Sequence, residues 1–209
     1  MPHSAMILAA TQVLIEHVEE LTQLDQAIGD GDHGLNMKRG ALAIQARLPE
    51  WQAQGKSFAD TLKAMGMTCM STIGGSSGPV FGTLLVTLSR ELPTSPGPGD
   101  VSRAIQAGIA ALTRLGKAEV GQKTLLDVLD PLQRLLGQAE VDPGTDLLAR
   151  TRRCALDAAQ ATAAMDAIKG RASFLGDRAL GHVDPGSRSM ALIVASICDS
   201  LSADPGAAA

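Results

Sequence analysis

The sequence predicts an all-α protein, and three observations carry that expectation. Apolar residues recur at spacings of three and four along most of the 209 residues, the period of one helix face. Hydrophobic residues make up 45% of the chain but aromatics only 2%, with no tyrosine, so Leu, Ala, Ile, Val and Met must fill the core. Side chains of this kind favour closely packed helices, because sheets prefer β-branched and aromatic residues. Glycine- and proline-rich breaks then cut the chain into helix-sized pieces. No segment reads as a convincing strand and no internal repeat is visible, so the expectation is an eight-helix antiparallel bundle or barrel.

The first helix carries Met6, Ala10, Val13, Leu14, Ile15, Val18 and Leu21 on its apolar side, with Gln12, Glu16, Glu19 and Glu20 opposite. Gly29 to Gly34 breaks the pattern. A second helix runs from Leu35 to Leu48, stopped by Pro49, whose ring and missing N–H disfavour a helix interior. A third spans Phe58 to Ile73 and ends at Gly74-Gly75-Ser76-Ser77-Gly78. Pro79 suits the first turn of a fourth. Pro93 to Gly99 reads as a linker, after which Asp100 or Ser102 caps a fifth helix carrying Ile105, Ile109 and Leu112. A sixth follows Gly121, a long seventh fills Asp146 to Lys169, and the last begins after Asp184-Pro185-Gly186. Small residues and a proline predict a frayed tail from Ser202 to Ala209.

The length suits a single domain over residues 1–209. A net charge of −4 argues against a nucleic-acid partner, which calls for a basic excess or stripe. Cys69, Cys154 and Cys198 are scattered, as expected of thiols in a reducing compartment, and offer neither a disulfide framework nor a zinc site. The apolar run Met6 to Ala10 lacks a basic leader and is soon followed by Glu16, Glu19 and Glu20, unlike a signal peptide. Met190 to Cys198 falls well short of the roughly 20 residues that span a bilayer. A soluble, cytoplasmic protein with no membrane contact is expected.

Most of the distinctive polar residues lie in the glycine-rich breaks, and alternate loops of an antiparallel bundle share one end. The sharpest break is Asp25-Gln26-Ala27-Ile28-Gly29-Asp30-Gly31-Asp32-His33-Gly34. Converging carboxylates repel unless a cation neutralises them, and their hard oxygens suit Mg²⁺ or Ca²⁺. Lys38 and Arg39 stand where an EF-hand would end in an acid, so this is not one. The plainer reading is that Asp30 or Asp32 caps the next helix. Gly74 to Pro79 places small serines at a helix start, where unpaired N–H groups and the helix dipole favour an anion. It lacks the Gly-Lys-Ser/Thr ending of a P-loop, and for a lone Gly/Ser run a tight interhelical turn is the commoner explanation. Arg171, in Gly170-Arg171-Ala172-Ser173, offers a forked donor for phosphate, and Asp184-Pro185-Gly186 leads into the last helix. Lys123 reads as a helix-start cation. No Ser/His/Asp or Cys/His arrangement suggests a nucleophile; the chain reads as a holder of charge, which is what phosphoryl transfer mainly requires.

Four stretches, LDQAIGDGDHGLNMKRG, GMTCMSTIGGSSGPVFGT, GKAEVGQKTLLDVLDP and GRASFLGDRALGHVDPGSRS, cover the chain from about residue 20 to 200. In this order they resemble the nucleotide-binding L subunit of the dihydroxyacetone kinases. The resemblance implies an eight-helix barrel with the nucleotide at one end, and two Mg²⁺ ions held by Asp25, Asp30 and Asp32. It also implies that His33, Gly34, Leu35, Asn36, Ser76, Ser77, Gly116, Leu125, Arg171, Asp184, Pro185 and Gly186 lie against the nucleotide.

In that family the sugar sits on a separate K subunit, so an L chain acts only with partners. Stand-alone L subunits resembling this one belong to the phosphoenolpyruvate-dependent branch. There ADP is a retained cofactor, charged to ATP by the phosphohistidine-carrying M subunit of the phosphotransferase system, and His33 fits that branch. Two positions depart from the family pattern. Gln122 stands where an aspartate is usual, which bears on how Lys123 or the metal cluster is held. Ser187-Arg188 replaces a smaller, less charged pair. Two other readings follow from the same residues: an ATP-using L subunit for another small ketose, or a non-catalytic module reporting nucleotide state. The sequence also leaves room for a homodimer.

Overall fold

The computed structural model describes residues 2–139 and 146–203. Among these residues there is no strand, and the helical content is carried by nine α-segments. They are α1 (Pro2–Glu16), α2 (Val18–Ile28), α3 (His33–Ala53), α4 (Phe58–Thr72), α5 (Ser77–Glu91), α6 (Pro98–Gly116), α7 (Leu126–Ala139), α8 (Leu147–Ala161) and α9 (Pro185–Ala203). Two 3₁₀ stretches, Thr162–Ala164 and Arg171–Ala179, lie between α8 and α9. No helix among the described residues is long and apolar enough to cross a membrane. Of the tail expected to fray, residues 204–209 lie outside the described residues.

Four element boundaries differ from the sequence expectation, each for a local reason. The first helix bends at His17 (φ −101°, ψ 20°) and continues as α2 to Ile28. The bend is not a stop, because His17 N–H still donates to Val13 O at 3.1 Å and Leu21 N–H to His17 O at 3.0 Å. Helix α3 runs through Pro49 to Ala53, with Leu48 and Trp51 both buried on its core side. Burying a side chain of this size is worth about 1.5–3 kcal/mol, comparable with the cost of an interior proline. Helix α6 starts at Pro98, where the Asp100 carboxylate accepts the Gly97 N–H at 2.9 Å. Helix α8 stops at Ala161 rather than reaching Lys169: the chain tightens into the 3₁₀ turn Thr162–Ala164, whose Thr162 and Ala163 carbonyls accept from a residue distant in sequence, Lys123.

Neighbouring helices close a ring: α1 on α3, then α4, α5, α6, α7, α8 and α9 in succession, with α9 returning to α1. Segment α2 leans on α3 and α9. One apolar cluster fills the interior and includes Leu21, Met37, Leu126, Val128 and Leu132. With few aromatics, close helix approach replaces bulk: a methyl on Gly66 of α4 would lie 2.9 Å from Gly82 O of α5. This packing brings the starts of α3, α5 and α9 and the loop before α7 to one end of the molecule.

Candidate functional site

At that end lies an open cleft of about 930 Å³, solvent at its mouth included. One wall is acidic. Asp25, in the last turn of α2, is buried, and its Oδ2 accepts the N–H groups of Asp32 at 2.9 Å and His33 at 3.0 Å. It thereby satisfies donors at the start of α3 that the helix leaves unpaired. Asp30 and Asp32 are exposed, and a carboxylate oxygen from each of the three acids lies within 4.8 Å of the others. Such a set of hard oxygen donors with open positions fits Mg²⁺, which keeps some sites for water and phosphate.

The opposite wall is built for anions. Helices α5 and α9 begin here, and no side chain caps the start of α5. The first N–H groups and dipole of α5 therefore face the cleft, joined by the dipole of α9, whose Ser187 N–H is taken by Asp184, and by Arg171 and Lys169. The Arg171 guanidinium forms an ion pair with Asp30, linking the two walls. Apolar surface comes from Ile28, Val80, Phe81 and Leu125.

Between the walls sits His33, 6% exposed. Its Nδ1 is 3.1 Å from Ser77 Oγ and its Nε2 2.8 Å from Ser189 Oγ, so it ties the starts of α3 and α5 to α9. Burial holds the imidazole below the usual 6.5, against the raising effect of Asp25 and Asp32. A neutral ring has one donor and one acceptor, and the two hydroxyls satisfy either tautomer.

Asp184 caps α9. Its carboxylate accepts the Ser187 N–H at 2.6 Å and its carbonyl the Arg188 N–H at 2.9 Å. Burial pushes this carboxyl up from 3.8 to about 6, opposed by the hydrogen bonds from Ser187. Lys123 is 2% exposed, and its ammonium donates to Thr162 O at 2.7 Å and Met165 O at 3.2 Å, with Ala163 O at 3.5 Å. Burial lowers its pKa from 10.5, against Asp184 and Asp166.

Of the residues singled out in the sequence, Asp25, Asp30, Asp32, His33, Ser76, Ser77, Leu125, Arg171, Asp184, Pro185 and Gly186 all line this cleft. Gly34, Leu35, Asn36 and Gly116 do not. Gly34 is pressed against the Val18 carbonyl and Thr22 of α2. Leu35 is 55% exposed, Asn36 is buried beside Gly74, and Gly116 ends α6 in open space. Lys123, Thr124 and Lys169 also line it. The buried role of Lys123 left no local signal, because its partners are some 40 positions away. Gln122 does not line the cleft; its Oε1 accepts the Glu119 N–H at 3.0 Å, inside its own loop. Arg188 is likewise engaged, with Glu20 at 2.6 Å.

The DAK2 domain model matches residues 27–199, a span that includes most of this cleft. The chain belongs to the DAK2 domain family. A relative in Listeria innocua, "PEP-dependent dihydroxyacetone kinase 1, ADP-binding subunit DhaL", is 37% identical over 179 residues, covering 85% of both chains. The Escherichia coli protein "PEP-dependent dihydroxyacetone kinase, ADP-binding subunit DhaL" is 40% identical over 176 residues, covering 82% of this chain and 83% of the relative. The same DAK2 fold occurs in the dihydroxyacetone kinase of C. freundii solved with AMP-PNP and Mg²⁺. The TM-score is 0.73 at 24% identity, over 93% of this chain and 33% of that one, a likeness of fold.

Proposed function

We propose that this chain is the ADP- and magnesium-binding subunit of a phosphoenolpyruvate-dependent dihydroxyacetone kinase. The observation that carries the reading is the joining, in one cleft, of a three-carboxylate cluster to an anion-holding wall of helix starts and Arg171. A nucleoside diphosphate with its magnesium ions presents the complementary pattern, cations on one side and phosphate oxygens on the other.

Asp25, Asp30 and Asp32 hold the metal, two ions in the proposed complex. When bound, magnesium neutralises charge on the transferring phosphoryl group and orients its oxygens. The starts of α5 and α9, with Ser76, Ser77 and Gly186, receive phosphate oxygens, and Arg171 supplies a guanidinium to them. Ile28, Val80, Phe81 and Leu125 offer the apolar surface a base needs. No side chain here acts as a nucleophile; the residues position groups and stabilise charge, the larger part of phosphoryl-transfer catalysis. Held there, ADP would carry the phosphoryl group between a phosphohistidine-carrying M-type protein and dihydroxyacetone on a K-type subunit. A cytoplasmic location fits this chemistry.

The test is to denature the purified protein and identify any released nucleotide by chromatography. Near-stoichiometric ADP is expected. A protein that retains nothing but exchanges added Mg-ATP freely, and turns over with it beside a K-type partner, points instead to an ATP-using kinase subunit. Binding of neither nucleotide overturns both. Asp30→Ala is expected to abolish retention with helicity intact, and undiminished binding in that variant contradicts the metal assignment.

A further inference from the structure

The loop before α7 holds a lysine that the proposed chemistry does not use. Lys123 is the residue in the left-handed conformation (φ 59°) just ahead of Thr124 and Leu125, both of which line the cleft. Lys123 itself lines the cleft, but its ammonium is directed at the turn that follows α8. An ammonium has three protons, and three carbonyl oxygens, of Thr162, Met165 and Ala163, lie within 3.5 Å. Two of these carbonyls belong to the 3₁₀ turn Thr162–Ala164 that directly follows α8, and the third to its C-cap, Met165.

Two stretches of chain depart from this point, and both build the cleft. One leads from Met165 to Lys169, Gly170 and Arg171. The other returns beside it: Gly181 N–H donates to Ala163 O at 2.8 Å, and Asp184 N–H to Thr162 Oγ1 at 3.0 Å. Residues 162 and 163 thus accept from Lys123 on one side and from the entry to α9 on the other. Thr162 is fully buried, so the junction is shielded from competing water.

We infer that Lys123 is a positioning residue for the nucleotide site, acting through the junction at 162–165 to fix the Arg171 arm and the start of α9. Its target is the anion wall of the cleft, and this role rests on the nucleotide-binding reading above. It differs from that of a phosphate-binding lysine, because the protons of its ammonium are already directed at carbonyls. It also differs from a general stability role, because the residues it fixes are confined to the segment 162–184.

The experiment pairs hydrogen exchange with a double-mutant cycle. In Lys123→Met, with metal and nucleotide stripped by EDTA and dialysis, the Gly181 and Asp184 amides should lose protection while those of α3 to α5 keep theirs. Mg-ADP affinity should fall about tenfold to a hundredfold, the loss typical when a hydrogen-bonded charge is removed. Combined with Arg171→Ala, the two losses should be strongly sub-additive, since one acts through the other. Additive losses with unchanged exchange at 181 and 184 overturn the inference and make Lys123 a direct ligand contact. Loss of protection throughout the molecule overturns it in favour of general stability. Should Lys123→Met fail to fold, Thr162→Val breaks the same junction without touching the lysine, and must expose the Asp184 amide and weaken Mg-ADP. If wild-type protein binds no nucleotide, the proposed function fails, while the exchange data still decide whether Lys123 holds the junction.

Discussion

Asp25 and Asp30 belong to the same carboxylate cluster yet should differ in what their substitution costs the metal-free protein, and the contrast separates metal binding from loop anchoring. In Asp25→Ala two charge-assisted hydrogen bonds disappear, those from the N–H groups of Asp32 and His33. At about 1.5 kcal/mol each, their loss costs about 3 kcal/mol. Removing the charge also relieves repulsion. The three carboxylate oxygens lie within 4.8 Å of one another, and two unit charges at that separation in water repel by about 1 kcal/mol. The net expectation for protein stripped of metal and nucleotide is a loss of about 1–2 kcal/mol, a fall in Tm of about 2–8 °C at this size. Asp25→Asn keeps an acceptor for both amides and sheds the charge, so its Tm should match or exceed wild type. Asp30→Asn loses only its exposed pair with Arg171, worth at most about 1 kcal/mol, and should also stay near wild type. Thermal melts in EDTA give this order. Repeated with saturating Mg-ADP, they should raise wild-type Tm by several degrees and each variant by far less, since stabilisation follows ligand concentration over Kd. An Asp25→Asn melt as low as that of Asp25→Ala in EDTA refutes the anchoring argument. A full Mg-ADP shift in any of the three refutes the metal assignment.

Asp184 gives a pH signature. Its carboxyl is raised from 3.8 to about 6, so the folded protein holds this proton more tightly than the unfolded chain. The stability it contributes is fully present below the ordinary carboxylate pKa and is lost as pH rises through about 6. Asp184→Asn, which keeps a good helix cap, should flatten the decline in denaturant midpoint between pH 4 and 7; an unchanged slope contradicts the burial argument. Gly34→Ala should destabilise by about 3 kcal/mol, because the added methyl meets the Val18 carbonyl and lies 2.8 Å from Thr22 N. Gly116→Ala, with nothing within 4 Å of its methyl, should be neutral or stabilising in the same melts. Gln122→Asp should leave Mg-ADP affinity, measured by calorimetry, within about twofold, as for a substitution away from the site.

How far the sequence discloses this molecule follows from the range of the forces involved. The helices are local: period, caps and glycine breaks lie within a few residues of one another, and the all-α class could be read from them. The carboxylates of Asp25, Asp30 and Asp32 were visible for the same reason, being packed into eight positions. What escaped was set at long range. Pro49 reads as a stop, but burial of Trp51 carries α3 past it. The period of α8 continues towards Lys169, but the chain tightens into a 3₁₀ turn at Thr162–Ala164, whose carbonyls Lys123 takes up from 39 and 40 positions away. The resemblance sets Gly34 against the nucleotide, but only the fold shows how closely it also packs on the α2 backbone and Thr22. Nor could composition show that His33 would find its partners at Ser77 and Ser189, 44 and 156 positions away.

The pairing of Arg171 with Asp30 explains how one cleft serves both signs of charge. Asp30 is a member of the proposed metal set, and Arg171 the forked donor proposed for phosphate. Each neutralises the other across the mouth of the site, which tempers the repulsion among the three carboxylates. On the proposed reading, binding Mg-ADP would exchange partners rather than create charge pairs from nothing: Asp30 would hold the metal and Arg171 would turn to phosphate oxygens. Because the pair is exposed, breaking it costs at most about 1 kcal/mol, whereas the phosphate hydrogen bonds that replace it are charge-assisted and partly shielded. The exchange also couples the two halves of the ligand. Nucleotide without metal must pull Arg171 from a carboxylate left uncompensated, and metal without nucleotide leaves the guanidinium unpaired beside it. ADP should therefore bind markedly more weakly in EDTA than in magnesium, and Arg171→Ala should shrink that difference while weakening binding in both. A magnesium dependence unchanged in Arg171→Ala, read by calorimetry, rules out the exchange.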